Sequence, residues 1–389
     1  MAIPVIPEPQ RTYLLELLAA LGAAADDFVI AGAQAMKFTV EKARGTKDVD
    51  FILNVVALRK EPLQLAKVLE GLGYKPVPES RNFQFAKDIP GTKETMRIEF
   101  MAPEEFKRRS DFRVEIQDGV HARACTGGSI ALEESDIHTI SGKLPNGTLH
   151  TAKVRVTRSH ALVMLKLLAL SDRYNNIRGT KEARHDREEA QTHAADIVAL
   201  LTAVSDIPRF NDQFVRQFRH DTHLGLHVLS ILQRFFRDAT SPGLLVYSEH
   251  VAASLSQGRE TSETIQTEVG RAQTLVARIC PPPEFFALAA AIDDSTGSSQ
   301  MTPLVDDFLA TLEGARIPPF DPLALQSLPS GAFGGAYAPG TTLVRSAPEL
   351  MGKLSEAERV LLQDYLRFRI TALGAHESLR TKYPHTLAR

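Results

Sequence analysis

Two aspartates two positions apart open the most constraining run in the chain, Asp48-Val49-Asp50-Phe51-Ile52-Leu53. Val49–Leu53 reads as a strand. Side chains alternate across a strand, so Asp48 and Asp50 share one side while Val49 and Phe51 point the other way, into a core. Two carboxylates held together repel, and they persist best with a cation between them. Hard oxygen ligands at this spacing suit Mg²⁺, which also accepts substrate phosphates. Mn²⁺ takes the same oxygen donors.

The flanking sequence supplies a setting for this pair. Phe28–Ala31 is a short apolar strand that runs into Gly32, and the helical stretch Ala33–Lys42 follows. A strand entering a glycine and then a helix exposes backbone N–H groups that can hold a phosphate. Thr12–Leu21 has the apolar spacing of a helix, and Glu61–Leu72 is a second helix ending near Gly73. Asn82–Ala86 and Met96–Met101 alternate polar and apolar residues, as half-buried strands do. The order helix, strand, helix, strand, helix, strand, strand predicts a small α/β domain with a mixed sheet. In the last of these strands Glu99 faces away from Ile98 and Phe100, which makes it the candidate third carboxylate. Three such groups can hold two metals around an in-line displacement.

Between Asp111 and Val156 the chain reads as further strands and loops. Ser129–Ala131, Ile137–Ile140 and Lys153–Val156 are strand candidates, with Pro145-Asn146-Gly147 as a turn. From Ser159 the pattern becomes helical, most clearly in Ala161–Arg173 and Glu182–Val204. Past Asp206 the chain is mostly helical, interrupted by Pro281-Pro282-Pro283, Pro318-Pro319 and Gly331–Gly340. The predicted organisation is an α/β (α+β) core over 1–157, a helical extension over 158–205, and a mostly helical region over 206–389.

Composition excludes several classes. Lys and Arg number 45 against 47 Asp and Glu, a formal net charge of -2, so there is no basic excess for holding long nucleic acid. Any nucleic-acid contact must come from a local patch such as Lys107-Arg108-Arg109 or the segment Arg173–Arg187. Two cysteines, Cys125 and Cys280, are too few for a disulfide framework, which fits a reducing cytoplasmic setting. The N-terminus lacks the basic start and apolar run of a secretory signal. The apolar stretch Ala161–Leu170 is too short to cross a bilayer.

The stretch Gly32–Phe51, ending in Arg44-Gly45-Thr46-Lys47-Asp48-Val49-Asp50, resembles the core of the nucleotidyltransferase superfamily, in particular its AbiEii/AbiGii toxin-like branch. The resemblance extends through Glu99 to the helix around Met164-Leu165-Lys166-Leu167-Leu168-Ala169-Leu170, and covers about residues 25–205. It implies Asp48, Asp50 and Glu99 as catalytic metal ligands, with Glu99 where Asp is commoner. It implies nucleotide contacts from Gly32, Ala33, Lys47, Lys166 and Arg173. Ala33 stands where the branch has a second Gly or Ser, so a hydroxyl contact to phosphate is lost. Thr192-His193 stands where the branch has Lys-Asp, ahead of Asp196-Ile197, which matches. Without that resemblance, Lys166 reads as one polar residue on an exposed helix stripe.

The implied reaction is Mg²⁺-dependent transfer of a nucleoside monophosphate from NTP to a hydroxyl acceptor, a tRNA 3′ end or a small molecule, with an antitoxin or a second copy as protein partner. A catalytically silent nucleotide- or partner-binding module and an antibiotic-type small-molecule modifier remain open beside it. His220, Asp221, His223 and His227 have helical spacing but match no metal motif. Gly331–Gly340 lacks the Gly-Lys-Ser/Thr ending of a P-loop.

Overall fold

The computed structural model describes residues 6–41, 43–46, 48–107, 112–176, 179, 182–220, 222–256 and 261–281, with a few more between 353 and 362. Lys47, Arg108, Arg109, Asp221, the side chains of His220 and His223, Pro318-Pro319 and Gly331–Gly340 lie outside the described residues. The first part of the chain runs α1 (Gln10–Leu21), β1 (Phe28–Ile30), α2 (Gly32–Met36), β2 (Asp48–Leu53), α3 (Val55–Leu58), α4 (Leu65–Gly71), β3 (Lys75–Pro76), β4 (Gln84–Asp88) and β5 (Thr95–Pro103). It continues through β6 (Arg113–Gln117), β7 (Val120–Cys125), α5 (Gly128–Glu133), β8 (Ser135–Lys143) and β9 (Leu149–Thr157) to α6 (Ser159–Asn175) and α7 (Ala183–Thr202). Four further helices follow: α8 (Ile207–His220), α9 (Thr222–Phe236), α10 (Pro242–Ser256) and α11 (Ser262–Ile279). The chain divides into two compact units, Met1–Phe210 with Arg234–Leu275, and Asn211–Gln233 with Val276–Arg389.

The strands of the first unit form one mixed sheet in the order β3-β4-β5-β2-β1-β9-β8, and β7, paired with β6, also joins β5. Alternation gives the sheet two unlike faces. Phe51 on β2, Phe85 on β4 and Phe100 on β5 point to one face, where Phe28 meets Phe51 edge-on with ring centres 5.6 Å apart. Phe85 and Phe100 pack at 5.6 Å on the same side. Phe28, Phe51 and Phe100 are completely buried, and each such ring contributes roughly 1.5–3 kcal/mol of apolar burial. Helix α1 covers this face with Tyr13, Leu14, Leu15, Leu17, Leu18 and Leu21 buried. Its Glu16 pairs with Lys87 of β4 at 2.6 Å.

Asp48, Asp50 and Ile52 of β2 emerge on the opposite face. The inner part of that face is closed by α5 and α6, where Ile52 packs with Ala31 and Ala131 against Met101, Leu132 and Leu165. The aspartate end stays open, with Asp48 exposed and Asp50 half-buried. Helices α6 and α7 pack together, and α10 packs on α7. In the second unit, Phe214, Val228, Leu229, Ile231 and Leu232 are buried, and the Cys280 thiol lies 3.8 Å from the Leu229 carbonyl oxygen.

Several elements differ from the sequence expectations. Ser129–Ala131 belongs to helix α5, entered through Gly127 at φ +74°, because a three-residue apolar run has no period of its own. The helix expected over Glu61–Leu72 starts only at Leu65, after Pro62, and a separate short α3 lies ahead of it under an Asn54 cap that accepts the Ala57 N–H at 3.3 Å. Helix α2 stops at Met36 rather than Lys42. The β6–β7 hairpin, turning at Asp118-Gly119 with Gly119 at φ +75°, falls in the stretch read only as strands and loops.

Candidate active site

Strand β2 lies between β1 and β5, and its partner on the β5 side is parallel. The register sets Asp48 opposite Arg97 and Asp50 opposite Glu99. The two aspartates and the glutamate therefore share one face of adjacent strands. Thr46 steers the chain into β2: its hydroxyl accepts the Asp48 N–H at 3.2 Å. Gly32, the first residue of α2, sits directly beside Asp50. It has φ +60°, and a Cβ there would lie 1.8 Å from the Asp50 Oδ2. Glycine is required on both counts, because the backbone is left-handed and a carboxylate fills the space. The five-residue α2 thus delivers a bare Cα to the acid. Ala33 follows it, buried.

Burial pushes the Asp50 carboxyl up to about 7, with the neighbouring Glu99 charge adding to the rise and Lys166 and Arg123 opposing it. Burial also raises Asp48; Arg97 opposes that rise and Glu99 adds to it. Glu99 is tied down. Its Oε1 accepts Arg123 Nε at 2.6 Å and its Oε2 accepts Gln84 Nε2 at 2.7 Å. Among the described residues no three His, Cys, Asp or Glu side chains gather at metal-binding spacing. The paired oxygens of Asp48 and Asp50 nevertheless fit a divalent cation: they are hard donors on one side of one strand, and Asp50 is a carboxyl in which ionisation is opposed without a nearby cation.

Lys166 of α6 is nine-tenths buried, not set on an exposed stripe, and its charge acts on Asp50. Its Nζ pairs with Asp196 Oδ2 of α7 at 2.7 Å. Arg44, just before β2, donates to the other oxygen, Oδ1, at 3.0 Å. Burial alone would raise Asp196, but Lys166 and then Arg44 outweigh it and hold the carboxyl below its usual range. One buried acid therefore fastens α6, α7 and the approach to β2 together. Arg173 pairs with the fully buried Asp186 at 3.4 Å. His193, three residues before Asp196, is held neutral: burial first, then the charges of Lys166, Arg44 and Arg173, push its pKa well below 6.5, while Asp196 acts against them. Burial pushes the Cys125 thiol up to about 11, so it is no nucleophile at neutral pH.

The structure thus brings Asp48, Asp50, Glu99 and Gly32 together, with Lys166 acting on Asp50 through its charge while paired with Asp196. Lys47 lies outside the described residues, and Arg173 faces Asp186. The sequence reading missed Arg123 and Gln84, which meet at Glu99. The available signal was the alternation of Arg113–Gln117 and Val120–Cys125 around Asp118-Gly119, a hairpin signature that aims Arg123 at the face carrying Glu99.

Paired acids at the head of one strand of a mixed sheet, a bare glycine beside them and a buried lysine on the covering helix are the surroundings in which the sequence resemblance places a nucleotidyltransferase-type site. The sequence matches the family model described as "Nucleotidyl transferase AbiEii toxin, Type IV TA system" over residues 14–272, well over half of the chain. The chain belongs to that family of nucleotidyltransferase toxins of toxin–antitoxin systems. No curated protein and no solved structure matches. No helix among the described residues is long and apolar enough to cross a membrane.

Proposed function

We propose that this chain transfers a nucleoside monophosphate from an NTP to the hydroxyl of an RNA 3′ end, with Mg²⁺ or Mn²⁺ held by Asp48 and Asp50. The observation that carries the reading is the register of β2: two acids at the open end of an interior strand, with Asp50 pressed against Gly32 and under the influence of Lys166. A divalent cation there supplies charge neutralisation for the phosphates and for the attacking oxygen. The chain's own residues do the positioning. Gly32 leaves room for the Asp50 carboxylate, Lys166 offers an ammonium steadied by Asp196, and Arg44 ties the loop before β2 to α7. In the transfer, the acceptor oxygen bonds to the α-phosphorus and the bond to the β-phosphate oxygen breaks. Pyrophosphate leaves, and the hydroxyl proton passes to solvent. Electrostatic stabilisation by positioned groups is the main catalytic contribution in such a site.

The family supports a toxin whose action an antitoxin partner counters. The RNA end is preferred over a small hydroxylated acceptor because it carries the phosphates that Arg97 and Arg44, both exposed beside the acids, are suited to meet. The test is incubation with each labelled NTP and Mg²⁺ or Mn²⁺, offering total cellular RNA in competition with small hydroxylated compounds. Label in RNA supports the proposal. Label only in small molecules moves the acceptor to that class, and no label with any NTP leaves the silent binding module.

A further inference from the structure

The Glu99 corner of the site does not have the form of a third metal ligand. Strand β4 accompanies β5 only as far as Glu99, opposite Gln84, and β7 takes over from Met101, opposite Arg123. The two flanking strands meet at this glutamate. Gln84 reaches it from one and Arg123 from the other, so both carboxylate oxygens already accept hydrogen bonds from protein. Arg123 Nη2 stands at 2.6 Å from the same Oε1. A guanidinium that close neutralises the carboxylate and repels a second cation. The arginine itself is only partly used. Nε and Nη2 are engaged by Glu99 and by the Met101 sulfur, whereas Nη1 makes no hydrogen bond among the described residues. The side chain remains 41% exposed, and its charge acts on Asp50.

We propose that Glu99 serves to hold Arg123, and that Arg123 is the phosphate receptor at this corner, so that the chain alone takes one divalent cation, on Asp48 and Asp50. A guanidinium anchored on one edge by a carboxylate and free on the other is suited to bind phosphate oxygens. The ligand class is a triphosphate chain, met by the Arg123 guanidinium beside the aspartates. This rests on the nucleotide-transfer reading and reassigns one of its residues.

The test is calorimetric titration of the full chain with Mn²⁺ alone, and then with inorganic triphosphate in the presence of Mn²⁺. Wild type is expected to take one Mn²⁺. Glu99→Gln is expected to keep Mn²⁺ affinity within about twofold, since amide and carboxylate are equal in shape. Arg123→Met is expected to leave Mn²⁺ binding intact and to weaken triphosphate binding about tenfold, the scale of one charge-assisted contact, with partial recovery in Arg123→Lys. Thermal melts establish that each variant is folded. The inference is overturned if Glu99→Gln abolishes Mn²⁺ binding, if wild type takes two Mn²⁺, or if folded Arg123→Met binds triphosphate as wild type does. Wild type that binds neither probe overturns the nucleotide reading together with this one.

Discussion

At the residue scale, Gly32 and Asp50 are one device. A methyl group at position 32 collides with the Asp50 carboxylate at 1.8 Å and sits on a left-handed backbone. Gly32→Ala is therefore expected to destabilise the fold by about 1–3 kcal/mol, measured by urea unfolding, and to remove transfer activity with it. Asp50→Asn has the opposite effect on stability. Asp50 titrates near 7 in the folded chain, against about 3.9 when unfolded. A raised folded pKa means that stability is full below the unfolded value and falls as pH rises towards 7. The asparagine variant should accordingly be more stable than wild type at pH 8, by roughly 1–2 kcal/mol after allowing for partial exposure, with the gain gone near pH 4. A variant no more stable than wild type at pH 8 would show that Asp50 carries no such strain. Asp48 and Asp50 were legible in the sequence because strand alternation alone fixes their common side. Arg123 was not, because its partner is 24 residues away and meets it only through strand register.

At the element scale, β2 and β5 bring the acids together, whereas α6 and α7 hold the lysine. Local periodicity sufficed to find both helices, but only packing shows that Lys166 is buried against Asp196. Removing one partner of such a pair strands a buried charge, so Asp196→Ala is expected to cost about 3–5 kcal/mol. The double replacement Lys166→Met with Asp196→Leu should recover most of that stability while transfer stays lost, as urea titrations and labelled-NTP assays would show. Recovery of transfer would mean that Lys166 has no part in the chemistry. The same helix pair gives a second pH signature. His193 is neutral in the fold, and its folded pKa lies below the unfolded value near 6.5. Its stabilising contribution is complete above about pH 6.5 and is lost as pH falls below that. His193→Gln should flatten the decline of stability as pH falls below about 6.5, and an unchanged slope would place the acid sensitivity elsewhere. The late start of α4 after Pro62 and the α5 helix were misread for a common reason. Short apolar runs fit either period, and the glycine and proline punctuation that decides between them acts through tertiary context.

At the scale of the whole molecule, the family match covers the sheet, the α6–α7 pair and the helices as far as residue 272. The fold class was readable because strands and helices alternate in the first hundred residues. Among the described residues of the second unit, Phe214, Val228, Leu229, Ile231 and Leu232 are buried. A site built on repelling acids predicts linkage between metal and stability: Mg²⁺ should raise the melting temperature of the full chain more at pH 8 than at pH 6, because the cation needs ionised Asp50. Equal shifts at both values would separate metal binding from Asp50.

The central claim is that Asp48 and Asp50 carry nucleotide transfer. Its most direct test is the Mg²⁺-dependent incorporation of α-phosphate label from NTP into RNA by wild type beside Asp50→Asn, a variant that keeps the shape of the side chain and removes its charge. The account predicts incorporation by wild type and a loss of about a thousandfold or more in the variant, on the scale expected for removing a catalytic electrostatic group. Undiminished incorporation by a folded Asp50→Asn chain would contradict it.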